Sequence, residues 1–210
     1  MNNKIYLYPL WIRAWHILTA ILFIILIVTG ISMHYTGGKE HFLLVGFSRA
    51  IRWHNIAAIL LIINYIIFVT GNVLTKNGKY YRLKKQNFWP DLRMQIRYYT
   101  TGIFKKEKHP FPVSEDRKFN PLQKLTYVLT MYVAMPLLII SGIGLLLPDI
   151  TINRMFGVSG LLMTDILHIT MAFLLSVFFL VHIYTCTLGS KPFSLFREII
   201  SGYHEMDENQ

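Results

Sequence analysis

The stretch DILHITMAFLLSVFFLVHIYTCTLG, Asp165 to Gly189, decides the reading of the chain. Its apolar run exceeds the ~20 residues that a membrane-spanning helix needs, yet it holds two histidines, His168 and His182. Ionisable side chains inside a membrane segment are rare and need partners. On a helix, their fourteen-residue step gives ~21 Å of axial separation and an angular offset of ~40°. Both imidazoles therefore project from nearly one face, toward the two ends of whatever lies beside this helix.

Working outward, three more runs have the same character. The four spans are placed at about 11–33, 53–74, 125–147 and 161–187, with a kink expected at Pro136 in the third. The first run is too long for a cleavable leader and lacks a small-residue cleavage site, so it is expected to remain as a span. The composition agrees with a membrane protein: 53% of the 210 residues are hydrophobic and only 15% charged, where soluble chains carry about a quarter. A single cysteine, Cys186, excludes an internal disulfide, c-type haem attachment and a cysteine-ligated cluster within the chain.

The net charge of +10 sits mostly in the loop 75–124, from Lys76 to Lys118. This location argues for membrane orientation and against nucleic acid. By the positive-inside rule the loop and both termini are cytoplasmic. Two segments, 88–104 and 191–204, mix aromatic and basic residues. Phe193, Phe196, Ile199, Ile200 and Tyr203 fall at helical spacing. Both segments read as cytoplasmic interfacial helices lying on lipid, or as covers for a partner. The expected fold is one all-α membrane domain over 1–210, a four-transmembrane-helix bundle.

Four histidines fall inside the spans. His16 opens the first and His54 the second, which runs the other way, while His168 and His182 lie at the two ends of the fourth. By depth they sort into an outer pair, His54 with His168, and an inner pair, His16 with His182. A six-coordinate haem needs two axial ligands from opposite sides of the ring, and helix bundles build such sites from facing helices. Two b-type haems enclosed by the bundle follow from the pairing. Zinc is disfavoured because no carboxylate or thiol completes either pair at its depth, Asp165 excepted. Gly30, fourteen residues after His16, reads as clearance for the outer ring, while Gly71, Gly142 and Gly144 read as helix packing. The other histidines, His34, His41, His109 and His204, read as solvated surface.

These residues resemble a known family, the di-haem cytochrome b subunits of formate dehydrogenase, nickel–iron hydrogenase and thiosulfate reductase. RAWH (Arg13–His16), TGIS (Thr29–Ser32), WHNIAAI (Trp53–Ile59) and ILHITMAFLLSVFFLVHIY (Ile166–Tyr184) are similar to its ligand-bearing segments, and KFNPLQK (Lys118–Lys124) resembles its quinone-side motif. The resemblance implies a bacterial inner-membrane subunit carrying two haem b. It would exchange electrons between menaquinone or ubiquinone near the cytoplasmic face and an outer iron–sulfur subunit, with a molybdopterin- or hydrogenase-type catalytic subunit beyond. It further implies that Asn120 bonds a quinone oxygen, with Gln123 and His182 nearby. Leu122 replaces the family's glycine. Asn120 also suits an N-cap before Pro121, and the two roles are compatible. Arg13 or Arg52 is a candidate partner for haem propionates. A stand-alone carrier of the b561 type is the alternative, and a membrane anchor or proton-coupled transporter without haem is a third reading.

Overall fold

The computed structural model describes residues 4–36, 44–83, 87–155, 157–187 and 193–205. His41 and the start of the 191–204 segment lie outside them, as do three residues of the basic loop. The order is β1 (Lys4–Tyr6), α1 (Leu10–Thr36), α2 (Phe47–Leu74), α3 (Phe88–Arg97), α4 (Pro121–Leu129), α5 (Met135–Leu146), β2 (Arg154–Met155), β3 (Val158–Ser159), α6 (Gly160–Cys186), α7 (Ser194–Ser201) and β4 (Tyr203–Glu205). Among the described residues, four helical stretches are long and apolar enough to cross a membrane: Leu10–Tyr35, Phe47–Leu74, Pro121–Leu146 and Gly160–Cys186.

The third stretch is not one regular helix. Between α4 and α5 the backbone makes a π-helical turn at Thr130–Ala134, just ahead of Pro136. Proline brings no N–H and its ring crowds the carbonyl four residues back. A widened turn relieves both, so the irregularity expected at Pro136 falls on the turn before it. The helix begins earlier than its apolar run. Asn120 accepts from Gln123 N at 2.8 Å, Gln123 Oε1 accepts from Asn120 N at 3.1 Å, and Pro121 fills the first helical position. This reciprocal capping box satisfies two of the donors that a helix start leaves open.

The chain forms two units. The first comprises residues 1–13, 70–132 and 183–210. In it β1 pairs antiparallel with β4, Ile5 opposite His204. The amphipathic spacing read as far as Tyr203 breaks at Gly202. That residue takes φ +87°, open to glycine at little cost, ends α7 as a C-terminal cap, and turns the chain into β4. Gly202 O also accepts from Leu7 N at 2.9 Å. His204, read as surface, is buried with Nδ1 3.0 Å from Glu198 Oε1. On the α1–α2 contact of this unit, a Cβ at Gly71 would meet the Trp11 ring at 2.6 Å, so Gly71 is a packing glycine.

The second unit comprises residues 14–69 and 133–182. Its buried apolar side chains include Leu22, Leu61, Phe68, Met135 and Leu175. Trp15 stacks on Phe68 at 4.3 Å. The buried amide of Asn64 donates to Trp15 O at 3.2 Å and to Thr19 Oγ1 at 2.8 Å, which ties α2 to α1 where no water could serve. Gly144 packs against Thr164 and Thr151. At Gly160, a Cβ would lie 1.5 Å from Ile152 O, so only glycine lets α6 start against that carbonyl.

Candidate functional site

All four span histidines lie in the second unit, and the structure brings them together in two pairs. His54 on α2 faces His168 on α6 with ring centroids 6.4 Å apart and planes at 71°. His16 on α1 faces His182 on α6 at 5.9 Å and 64°. An iron between two imidazoles, at about 2 Å per bond and about 1.1 Å from each nitrogen to its centroid, sets the centroids about 6 Å apart. Both pairs have that separation. Among the described residues no three of His, Cys, Asp and Glu gather as a metal site.

The His54–His168 pair has a further shell that the sequence reading missed. Thr29 Oγ1 lies 2.9 Å from His54 Nδ1 and 2.7 Å from Ile25 O. Ser141 Oγ lies 3.1 Å from His168 Nδ1 and 2.7 Å from Leu137 O. A hydroxyl has one proton. With that proton directed to the carbonyl one turn back, each hydroxyl oxygen is left to accept at the imidazole, beside a backbone carbonyl, Leu26 O or Leu138 O, that also faces the ring. Nδ1 then carries the ring proton in both histidines and Nε2 keeps its lone pair, the form a metal ligand needs.

The residue after each hydroxyl is glycine. A Cβ at Gly30 would stand 3.7 Å from His54 Cε1, an ordinary contact, whereas one at Gly142 would stand 3.1 Å from His168 Cε1 and 3.5 Å from Nδ1. Gly142, read as packing, is thus the tighter of the two against an imidazole. A hydroxyl followed by glycine, TG at 29–30 and SG at 141–142, is shared by the two halves, but the same step recurs at 36–37, 70–71, 101–102, 159–160 and 201–202, so the sequence alone does not single these residues out. At the other pair, Phe178 stacks on His182 at 5.7 Å and 13°, and Trp15 meets His16 edge-on at 6.2 Å.

Of the remaining predicted residues, Arg52 on α2 is exposed in the second unit, while Asn120, Gln123 and Arg13 lie in the first. Asn120 is buried; besides its capping role its Nδ2 donates to the Tyr99 hydroxyl at 3.0 Å. Burial raises the Tyr99 phenol above its ordinary value, so it stays protonated. Gln123 holds the reciprocal half of the capping box. The Arg13 guanidinium donates to Ile199 O at 3.2 Å and to Ile200 O, closing carbonyls left open at the end of α7. Lys118, counted in sequence as loop charge, is buried. Its Nζ donates to Asn77 Oδ1 at 3.2 Å and lies 4.3 Å from the Tyr80 ring centroid. Burial, then the Lys79 charge, pushes Lys118 down to about 8.

A family model described as "Prokaryotic cytochrome b561" matches residues 7–202. The chain is 35% identical over 206 residues to the Escherichia coli (strain K12) protein named "Putative cytochrome YdhU", covering 97% of this chain and 76% of that one.

Proposed function

The chain belongs to the prokaryotic cytochrome b561 family, bacterial membrane electron carriers, and from that premise we propose that it serves a respiratory oxidoreductase through two b haems. His54 and His168 would hold the outer haem, His16 and His182 the inner one. The two imidazole pairs, 6.4 and 5.9 Å between centroids, carry this reading. Bound haem b supplies the one-electron chemistry. The histidines' part is to present Nε2 from opposed helices, and the apolar spans keep water from the path. One uninterrupted helix, α6, offers a histidine to each pair, so its geometry fixes their spacing at ~21 Å along the axis.

On the cytoplasmic side the chain would exchange electrons with menaquinone or ubiquinone in the inner membrane, with proton uptake or release there. Asn120 Oδ1 is committed to the capping box and one Nδ2 hydrogen to Tyr99. An amide has two such hydrogens, which leaves one for a quinone carbonyl. The Gln123 amide nitrogen has no partner among the described residues and offers further donors. Arg13 would reach a propionate only by sharing the guanidinium that now caps α7. The segments around α3 and α7 would lie on the cytoplasmic lipid surface, with both termini on that side. An outer iron–sulfur subunit and a molybdopterin- or hydrogenase-type catalytic subunit would complete the complex.

The alternative is a stand-alone carrier, which the b561 description of the matching family model admits equally. Purification in mild detergent from the native membrane separates them. Co-purifying iron–sulfur and catalytic subunits support the complex; an isolated, haem-loaded chain that quinol reduces and soluble oxidants reoxidise supports the carrier.

A further inference from the structure

At the outer pair, α2 and α6 bring the histidines, while α1 and α5 each bring a hydroxyl followed by a glycine. The two halves correspond: Thr29 and Gly30 lie on His54, Ser141 and Gly142 on His168. In each half the hydroxyl meets Nδ1 and the glycine position faces Cε1. Two ring atoms are thereby fixed from a helix that supplies no ligand to that pair. Thr29 and Ser141 are themselves buried, at 3% and 2% exposure, so water does not compete for either contact.

We propose that Thr29 and Ser141 are positioning residues for the outer haem: they lock its two axial histidines in the Nδ1–H form and set that haem's midpoint potential. This rests on the assignment of His54 and His168 as ligands. The physical link is ligand basicity. An Nδ1–H that donates a hydrogen bond makes Nε2 a stronger donor to iron, and outer-shell bonds of this kind orient and tune metal ligands. A stronger donor favours ferric iron, so losing the bond raises the potential. Hydrogen bonding to the axial ligands is one of the levers by which proteins set haem potentials.

The test is a potentiometric titration of the purified holoprotein, with ferric low-spin EPR on the same samples, for wild type, Thr29→Val, Thr29→Ser and Ser141→Ala. The outer haem is identified as the one that His54→Ala removes. Thr29→Val and Ser141→Ala should each raise the outer midpoint and shift its EPR signal. The inner midpoint should stay put as an internal control, and Thr29→Ser should restore the outer value. If Thr29→Val fails to fold, Ser141→Ala carries the test alone on the other ligand. Two wild-type midpoints that neither Thr29→Val nor Ser141→Ala moves would overturn the tuning role and leave ligation standing. Equal shifts of both haems, or a failure of Thr29→Ser to restore, would also overturn it. A wild-type protein without b-type haem, or one whose haems survive His54→Ala, would instead remove the ligand assignment beneath it.

Discussion

Asn120 carries two assignments, helix cap and quinone contact, and substitution can separate them. In Asn120→Ala, Gln123 N loses its acceptor at 2.8 Å and the Tyr99 hydroxyl its donor at 3.0 Å. Loss of an N-cap side chain costs about 1 kcal/mol, and loss of a partly buried hydrogen bond about 1 kcal/mol more. The reverse bond, Gln123 Oε1 accepting from residue 120 N, is untouched because it uses the backbone. Asn120→Ala should therefore lower stability by about 2 kcal/mol. Asn120→Asp keeps an oxygen where Gln123 N donates, and a carboxylate at a helix start is favourable. It lacks the amide donors, and its charge repels a quinone carbonyl. Because the amide hydrogen bond to the Tyr99 hydroxyl is lost while the cap is kept, its stability should fall by about 1 kcal/mol, half the loss in Asn120→Ala, while quinol-driven haem reduction falls about tenfold or more. The assays are thermal unfolding in detergent, followed by helical circular dichroism, and stopped-flow haem reduction by quinol. Unchanged reduction in Asn120→Asp would refute the quinone contact. A loss of stability in Asn120→Asp equal to that in Asn120→Ala would refute the capping argument.

Three further outcomes follow from the geometry. Gly142→Ala puts a Cβ 3.1 Å from His168 Cε1, inside the ~3.5–4.0 Å of carbon contacts. It should destabilise the outer haem, read as loss on dialysis against apomyoglobin, while leaving the inner haem in place. Lys118 has its pKa lowered from 10.5 to about 8 in the folded protein. The unfolded chain therefore binds more protons between those values, and stability should rise from pH 8 to pH 10.5; Lys118→Met should flatten that rise in a series of thermal melts. Gly160→Ala forces a Cβ to 1.5 Å from Ile152 O. It should displace the start of α6, visible as faster proteolysis at the β2–β3 hairpin.

Much of the bundle was legible because lipid imposes a simple rule: every spanning backbone must satisfy itself, so long apolar runs become helices. The histidine pairs were legible for a related reason. Four costly side chains at matching depths restrict how four helices can face one another. What escaped was information held by tertiary contact. Nothing local marks Ser141 or Gly142 as neighbours of His168, since twenty-five or more residues intervene; Thr29 was noticed only within a motif and without a partner. Lys118 looked like one cation among many in a basic loop, and only its placement beside Asn77 and Tyr80 shows it buried. The end of α7 at Gly202 had a sequence signal, a glycine after an amphipathic run. The strand that follows did not, because its partner is the chain's other end, Lys4–Tyr6.

Haem stoichiometry in single histidine variants tests the paired-histidine, two-haem bundle most directly. Haem b per chain should be measured by pyridine haemochrome in the purified wild type and in His16→Ala, His54→Ala, His168→Ala and His182→Ala. Two haems in the wild type and one in each variant are expected. His54→Ala and His168→Ala should lose the same spectroscopic component, and His16→Ala and His182→Ala the other. No b-type α band in the wild type, or two haems retained in any of the four variants, would contradict the account.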